Sequence, residues 1–174
     1  MSPPPPATPT VHRLHPHTDA RGHFLPALFR ADDLADDGLI HLSHSHAGVL
    51  RGMHFQSPTP QAKCLHVLSG SIFDVAVDLR RSSPHFGKFH SFHLSAREPG
   101  LLKIPAGFAH GFLALEYSLI LYSVDAPYEP AHEWTLAWDD PDLAIPWPAV
   151  PTILSPRDVA AVRLRDLPPH AFHP

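Results

Sequence analysis

The residues of this chain whose chemistry could go beyond packing fall in three clusters. The first is Gly48-Val49-Leu50-Arg51-Gly52-Met53-His54-Phe55-Gln56, followed closely by Gln61-Ala62-Lys63. On a regular strand Arg51 and Met53 point to one face and Gly52 and His54 to the other, unless a bulge at Gly52 intervenes. The second is Ile104-Pro105-Ala106-Gly107-Phe108-Ala109-His110-Gly111-Phe112, a tight turn that delivers a histidine to the start of a strand. The third is Tyr122, in an apolar strand, with Tyr128 just beyond. Imidazoles and phenols move protons, and guanidinium and ammonium groups hold anions. Each residue also has a plainer reading. Arg51 and Lys63 suit any surface, Tyr122 suits a core, and a carboxylate at the third position of a helix, as Asp158 would be, is explained by capping alone.

The elements that must position these residues read as short strands. Ser71 to Arg80 alternates, with Phe73, Val75, Val77 and Leu79 on one face and Asp74, Ala76 and Asp78 on the other. Ser69-Gly70-Ser71 is a turn after a strand around Leu65 to Leu68. Phe89 to Leu94, Leu101 to Ile104 and Phe112 to Val124 supply further strands. Residues Ala31 to Gly38 suit a short acidic helix with Gly38 as its C-cap. Beyond Tyr128 the chain turns irregular and rich in Pro and Trp, as a segment draped over a barrel would be. Ser155-Pro156-Arg157-Asp158 opens a helix with serine at the N-cap and proline in the first position. No strand–helix–strand unit of a parallel fold is present. Many short strands at regular spacing predict an all-β sandwich or antiparallel barrel. Residues 1–10 read as a proline-rich, flexible tail, and 11–174 as one domain.

Composition narrows the function. The net charge of −4 supplies no basic stripe for nucleic acid. No segment approaches the roughly 20 apolar residues of a membrane span, and the N-terminus lacks the pattern of a secretion signal. The lone cysteine, Cys64, fits a reducing compartment, so a cytoplasmic protein with no membrane partner is expected. With sixteen histidines in the chain, most must be surface or packing residues.

Taken together and in order, several motifs resemble one family. Arg51-Gly52-Met53-His54-Phe55-Gln56, Asp74-Val75-Ala76-Val77-Asp78-Leu79-Arg80, Ser83-Pro84-His85-Phe86-Gly87-Lys88, the Ile104 to Phe112 cluster and Leu154-Ser155-Pro156-Arg157-Asp158 resemble the dTDP-4-dehydrorhamnose 3,5-epimerase family. Asp140-Pro141-Asp142-Leu143 and Ile145-Pro146-Trp147-Pro148 fit as well, and the resemblance spans residues 10 to 160.

The resemblance implies a cupin-type antiparallel β-barrel (jelly roll) with short peripheral helices, working as a homodimer with no cofactor and no metal. It implies a nucleotide-linked 4-keto-6-deoxy sugar, most simply a dTDP sugar, as substrate. The C4 ketone acidifies hydrogens at C3 and C5, which a base removes and an acid returns on the opposite face. By resemblance His54 is the base, Asp158 orients it, Tyr122 is the acid and Lys63 steadies the enolate oxygen. Arg21 and Arg51 match diphosphate ligands, Tyr128 matches the residue that stacks on the thymine, and Phe24, His110, Glu133 and Arg157 match other substrate contacts. Pro26 stands where the family carries glutamate, Leu39 and His41 replace a Gln-x-Asn pair, and Ser123 replaces a frequent lysine. The first two departures predict modest discrimination among nucleotides.

Two other readings compete. Pro105-x-Gly107-x-x-His110 resembles part of a cupin metal motif, but Ala114 stands where that motif has asparagine, and His44-x-His46 lacks a following glutamate. Only two ligands can be assembled, short of the three or four a metal needs. A non-catalytic sugar-nucleotide binding barrel would need no base paired with an acid.

Overall fold

The computed structural model describes residues 8–20, 22–25 and 40–172. Arg21, Pro26, Leu39 and the helix expected over residues 31–38 lie outside the described residues. In chain order the strands are β1 (Thr10–Arg13), β2 (His17–Asp19), β3 (Gly22–Phe24), β4 (Ile40–Ser45), β5 (Leu50–Gln56) and β6 (Lys63–Ser69). They continue with β7 (Ser71–Asp78), β8 (Phe89–Ser95), β9 (Gly100–Ile104), β10 (Phe108–Ala114), β11 (Ser118–Val124) and β12 (Glu133–Thr135), before helix α1 (Pro156–Val159). Thr10, the last residue of the expected tail, is already paired with Lys103 as the start of β1.

Two five-stranded antiparallel sheets carry the fold, ordered β1-β9-β6-β11-β4 and β12-β5-β10-β7-β8, while β2 pairs with β3 alone. From β4 to β12 the chain passes repeatedly from one sheet to the other, so the sheets stack face to face. Leu65, Val67, Leu102, Ile104 and Ile120 of the first sheet meet Ile72, Ala76, Phe108 and Phe112 of the second in the interior cluster. The outer face of the second sheet buries Met53, Phe55, Val75, Val77 and Leu79 under Leu143, Leu167 and Ala171 of the C-terminal segment. This covering is why the Pro- and Trp-rich stretch after Tyr128 needs little regular structure of its own.

Strand β7 alternates as the sequence predicts, but neither face meets water: Asp74, Ala76 and Asp78 are 0% exposed. It stops at Asp78 rather than Arg80. The Asp78 carboxylate accepts the Arg80 backbone N–H at 3.0 Å and the Ser83 hydroxyl at 2.7 Å, turning the chain away. The single run expected over Phe112 to Val124 is two strands in different sheets, β10 and β11. The Leu115–Tyr117 turn between them has no Gly or Pro to betray it, and is held by Leu115 N–H on Ser71 O at 3.0 Å. β12 arises in a stretch read as irregular and pairs Glu133 with Gln56.

The feature that aims β5 is a bulge. His110 pairs with His54 and Phe112 with Arg51, so Gly52 and Met53 together oppose Gly111. The extra residue breaks the alternation, leaving Met53 in the outer cluster while Arg51 and His54 share the opposite, cavity-facing side. Gly52 has φ of 125°, and a Cβ there would lie 2.5 Å from the Gly111 Cα. Gly52→Ala is therefore expected to cost about 2–4 kcal/mol, combining backbone strain with overpacking, measured as a lower urea midpoint at unchanged m.

Candidate active site

Between the two sheets lies a cavity of about 590 Å³. His41, Lys63 and Tyr122 reach it from the first sheet, and Arg51, His54, His110 and Glu133 from the second. Tyr128, Arg157 and Asp158 complete its rim and end wall. Every residue expected at the site lines this one cavity except two. Phe24 stands apart from the lining, 64% exposed on β3, and Arg21 lies outside the described residues.

His54 and Asp158 are far apart in sequence, and backbone pairing brings them together. Leu50 N–H donates to Ile153 O at 3.0 Å and Thr152 N–H to Gly48 O at 3.0 Å, laying the segment before α1 alongside β5. Ser155 then caps α1, accepting the Asp158 N–H at 3.1 Å. Asp158, 3% exposed, does not spend its carboxylate on the cap alone. Its Oδ1 accepts from His54 Nε2 at 2.6 Å and its Oδ2 from the Ser155 hydroxyl at 2.8 Å. Burial works to raise the Asp158 pKa. The bonds from His54 and Ser155, with the Gly52 N–H, outweigh it and hold the carboxyl below its ordinary range. An ionised carboxylate only accepts, so Nε2 carries a proton, and in the neutral imidazole Nδ1 keeps its lone pair.

A second imidazole–carboxylate pair stands beside the first. His110 Nε2 donates to Asp74 Oδ2 at 2.8 Å, and the other Asp74 oxygen has no partner among the described residues. Local sequence marks neither Asp74 nor Ser155 as a functional residue. Asp74 reads locally as one polar position in an alternating strand, and only the pairing of β7 with β10 sets it against His110.

Charge is arranged around these pairs. Burial draws the Lys63 pKa down to about 8, against the pull of Glu133 and Asp125, which favour the charged form. Burial raises the Tyr122 pKa; the Arg51 charge opposes that rise and Glu133 adds to it. Glu133 is the anchor of the rim: Arg157 grips both its oxygens, Nη2 to Oε1 at 2.6 Å, and the Tyr128 hydroxyl donates to it. Arg51 gives Nε to Ser45 Oγ at 3.1 Å and Nη2 to His44 O at 2.9 Å, tying the second sheet to β4. Among the described residues no three His, Cys, Asp or Glu side chains converge as metal ligands. No helix among them is long and apolar enough to cross a membrane.

Comparisons with known proteins point to one family. The family model described as dTDP-4-dehydrorhamnose 3,5-epimerase matches residues 8–166. The chain belongs to this family. It is an isomerase with a cupin-type jelly-roll fold. It is 42% identical over 172 residues to the dTDP-4-dehydrorhamnose 3,5-epimerase of Mycobacterium tuberculosis, covering 92% of this chain and 82% of the relative. It is also 42% identical over 164 residues to the Neisseria gonorrhoeae epimerase, where it covers 88% of itself but spans only 50% of that relative's length. The crystal structure of dTDP-6-deoxy-D-glucose-3,5-epimerase from Legionella pneumophila, in complex with dTDP-4-keto-L-rhamnose, superposes with a TM-score of 0.88. The identity is 36%, covering 95% of this chain and 92% of that one.

If Lys63 acts in turnover, its burial sets a pH dependence. Its ammonium is present below about pH 8 and lost above it. The kcat/KM is therefore expected to decline above that pH. In Glu133→Gln, which removes an anion favouring the charged form, the decline should begin at lower pH. A pH–rate profile of both enzymes checks this.

Proposed function

We propose that the chain epimerises a nucleotide-linked 4-keto-6-deoxy sugar of the dTDP-4-dehydro-6-deoxyglucose type, inverting C3, C5 or both. The observation that carries this reading is the opposition of two proton-handling groups. His54, bonded to Asp158 of α1, belongs to the second sheet and Tyr122 to the first, with the cavity between them.

In this reading His54 Nδ1 takes the proton from the carbon next to the ketone, and the C–H electrons move onto the C4 oxygen as an enolate. The Lys63 ammonium steadies that oxygen, and His110, held by Asp74, lies within the same cavity to hydrogen-bond the substrate. The enolate electrons then return to carbon, which takes the Tyr122 proton on the opposite face, and the ketone re-forms. Between turnovers His54 gives up its extra proton and Tyr122 regains one through solvent. Arg51, with Arg21, holds the diphosphate, and Tyr128 at the mouth stacks on the base.

The enzyme works as a homodimer in the cytoplasm. Support for the dimer comes from Phe24 on β3 and from Ile40 and Leu42 on edge strand β4, apolar side chains 64%, 53% and 55% exposed. Light scattering at micromolar concentration should give twice the chain mass.

The decisive experiment follows turnover in deuterated water. The wild type should carry solvent deuterium into C3 or C5, whereas a non-catalytic binding barrel would carry none. His54→Asn should lose exchange by about 10²–10⁴-fold or more while nucleotide affinity holds. Tyr122→Phe should keep part of the exchange, because His54 can return a proton to the face it came from, while inversion falls. Loss of exchange and inversion in parallel for Tyr122→Phe would reassign the acid. Dialysis against a chelator should leave turnover unchanged; a stoichiometric metal whose removal abolishes it would overturn the cofactor-free reading.

A further inference from the structure

Tyr122 must deliver its proton along one direction, yet among the described residues no hydrogen bond holds its hydroxyl. What holds the ring is packing. The ring packs against the interior cluster. It is also stacked by His41, whose imidazole lies 4.9 Å away between ring centroids and tilted by only 21°.

The stack is fixed by the sheet. His41 and Tyr122 are direct partners in the antiparallel pairing of β4 with β11, a placement that brings facing side chains into contact. β4 alternates so that Ile40 and Leu42 point outward while His41 and Ser43 line the cavity. Among the described residues β4 is an edge strand, and the link from Arg51 to Ser45 and His44 keeps it against the cavity. His41 thus both lines the cavity and covers the Tyr122 ring.

We propose that His41 is the positioning residue for Tyr122. Its imidazole face sets the plane of the phenol, and with it the face of the sugar to which the proton is delivered. The proposal rests on Tyr122 being the acid. It predicts that His41 governs how abstraction is divided between inversion and return to the same face. The geometry asks for a flat ring at position 41 rather than an ionisable one.

The test is the ratio of inversion to solvent-deuterium exchange, a quantity that a loss of folded protein does not alter. In His41→Ala the ratio should fall about tenfold or more, as misplacement of a reacting group by an ångström or so can cost up to about 10²-fold. In His41→Phe, which restores a stacking ring, the ratio should return close to that of the wild type. Carbon-13 NMR of ring-labelled tyrosine gives an independent reading on a chain with only three tyrosines. The ring-current shift on Tyr122 should vanish in His41→Ala and reappear in His41→Phe. If the shift vanishes while the ratio stays at the wild-type value, or if His41→Phe fails to restore the ratio, the proposal is wrong and the proposed function stands. If Tyr122→Phe itself leaves the ratio unchanged, the reading of Tyr122 as acid fails, and this proposal with it.

Discussion

A carboxylate taken out of water must be paired or it will not stay charged. Much of this site follows from meeting that demand at Asp158. Its oxygens are satisfied from two directions, by His54 on β5 and by Ser155 and the Gly52 N–H. The carboxylate therefore pins the turn that carries it to the strand that carries the imidazole, and in return fixes the tautomer of His54. Asp74 repeats the device for His110, with one oxygen left without a partner among the described residues. Each histidine that lines the cavity in partnership with a carboxylate thus has one nitrogen committed and one available.

These pairs need a strand that faces inward with both polar residues and outward with apolar ones, which strict alternation over β5 does not supply. The bulge at Gly52 and Met53 supplies it, and the close approach of Gly111 makes room for it. One inserted residue turns Met53 toward the apolar outer layer and lets Arg51 and His54 share the cavity. The C-terminal segment then has two tasks. It covers the outer layer and it returns Asp158 to the inner one.

Around the pairs, burial and charge work against each other at nearly every ionisable group. Glu133 gathers Arg157 and Tyr128, and its charge also helps keep buried Lys63 protonated. Tyr122 is pushed toward its neutral form by burial, the form in which a phenol can give a proton. The first sheet thus contributes an ammonium and a phenol, and the second an imidazole held by a carboxylate from α1. A planar substrate lying between the sheets would meet the two sets on opposite faces.

The layers and the chemical inventory were legible in the sequence. Alternation over Ser71 to Arg80 assigned faces correctly because side chains in a strand must alternate, and Ser155-Pro156 marked the start of α1 because capping is local chemistry. The ordered motifs carry His54, His110 and Asp158, the family resemblance adds Lys63 and Tyr122, and the cavity brings those five together. The rest depends on partners distant in sequence. The bulge shows only against Gly111, the break between β10 and β11 only when the strands separate into two sheets, and β12 only beside β5. Asp74 and His41 look like ordinary strand residues until register sets one under His110 and the other over Tyr122. Register is a property of pairs of strands, fixed by which faces must be buried together, and no single segment of sequence contains it.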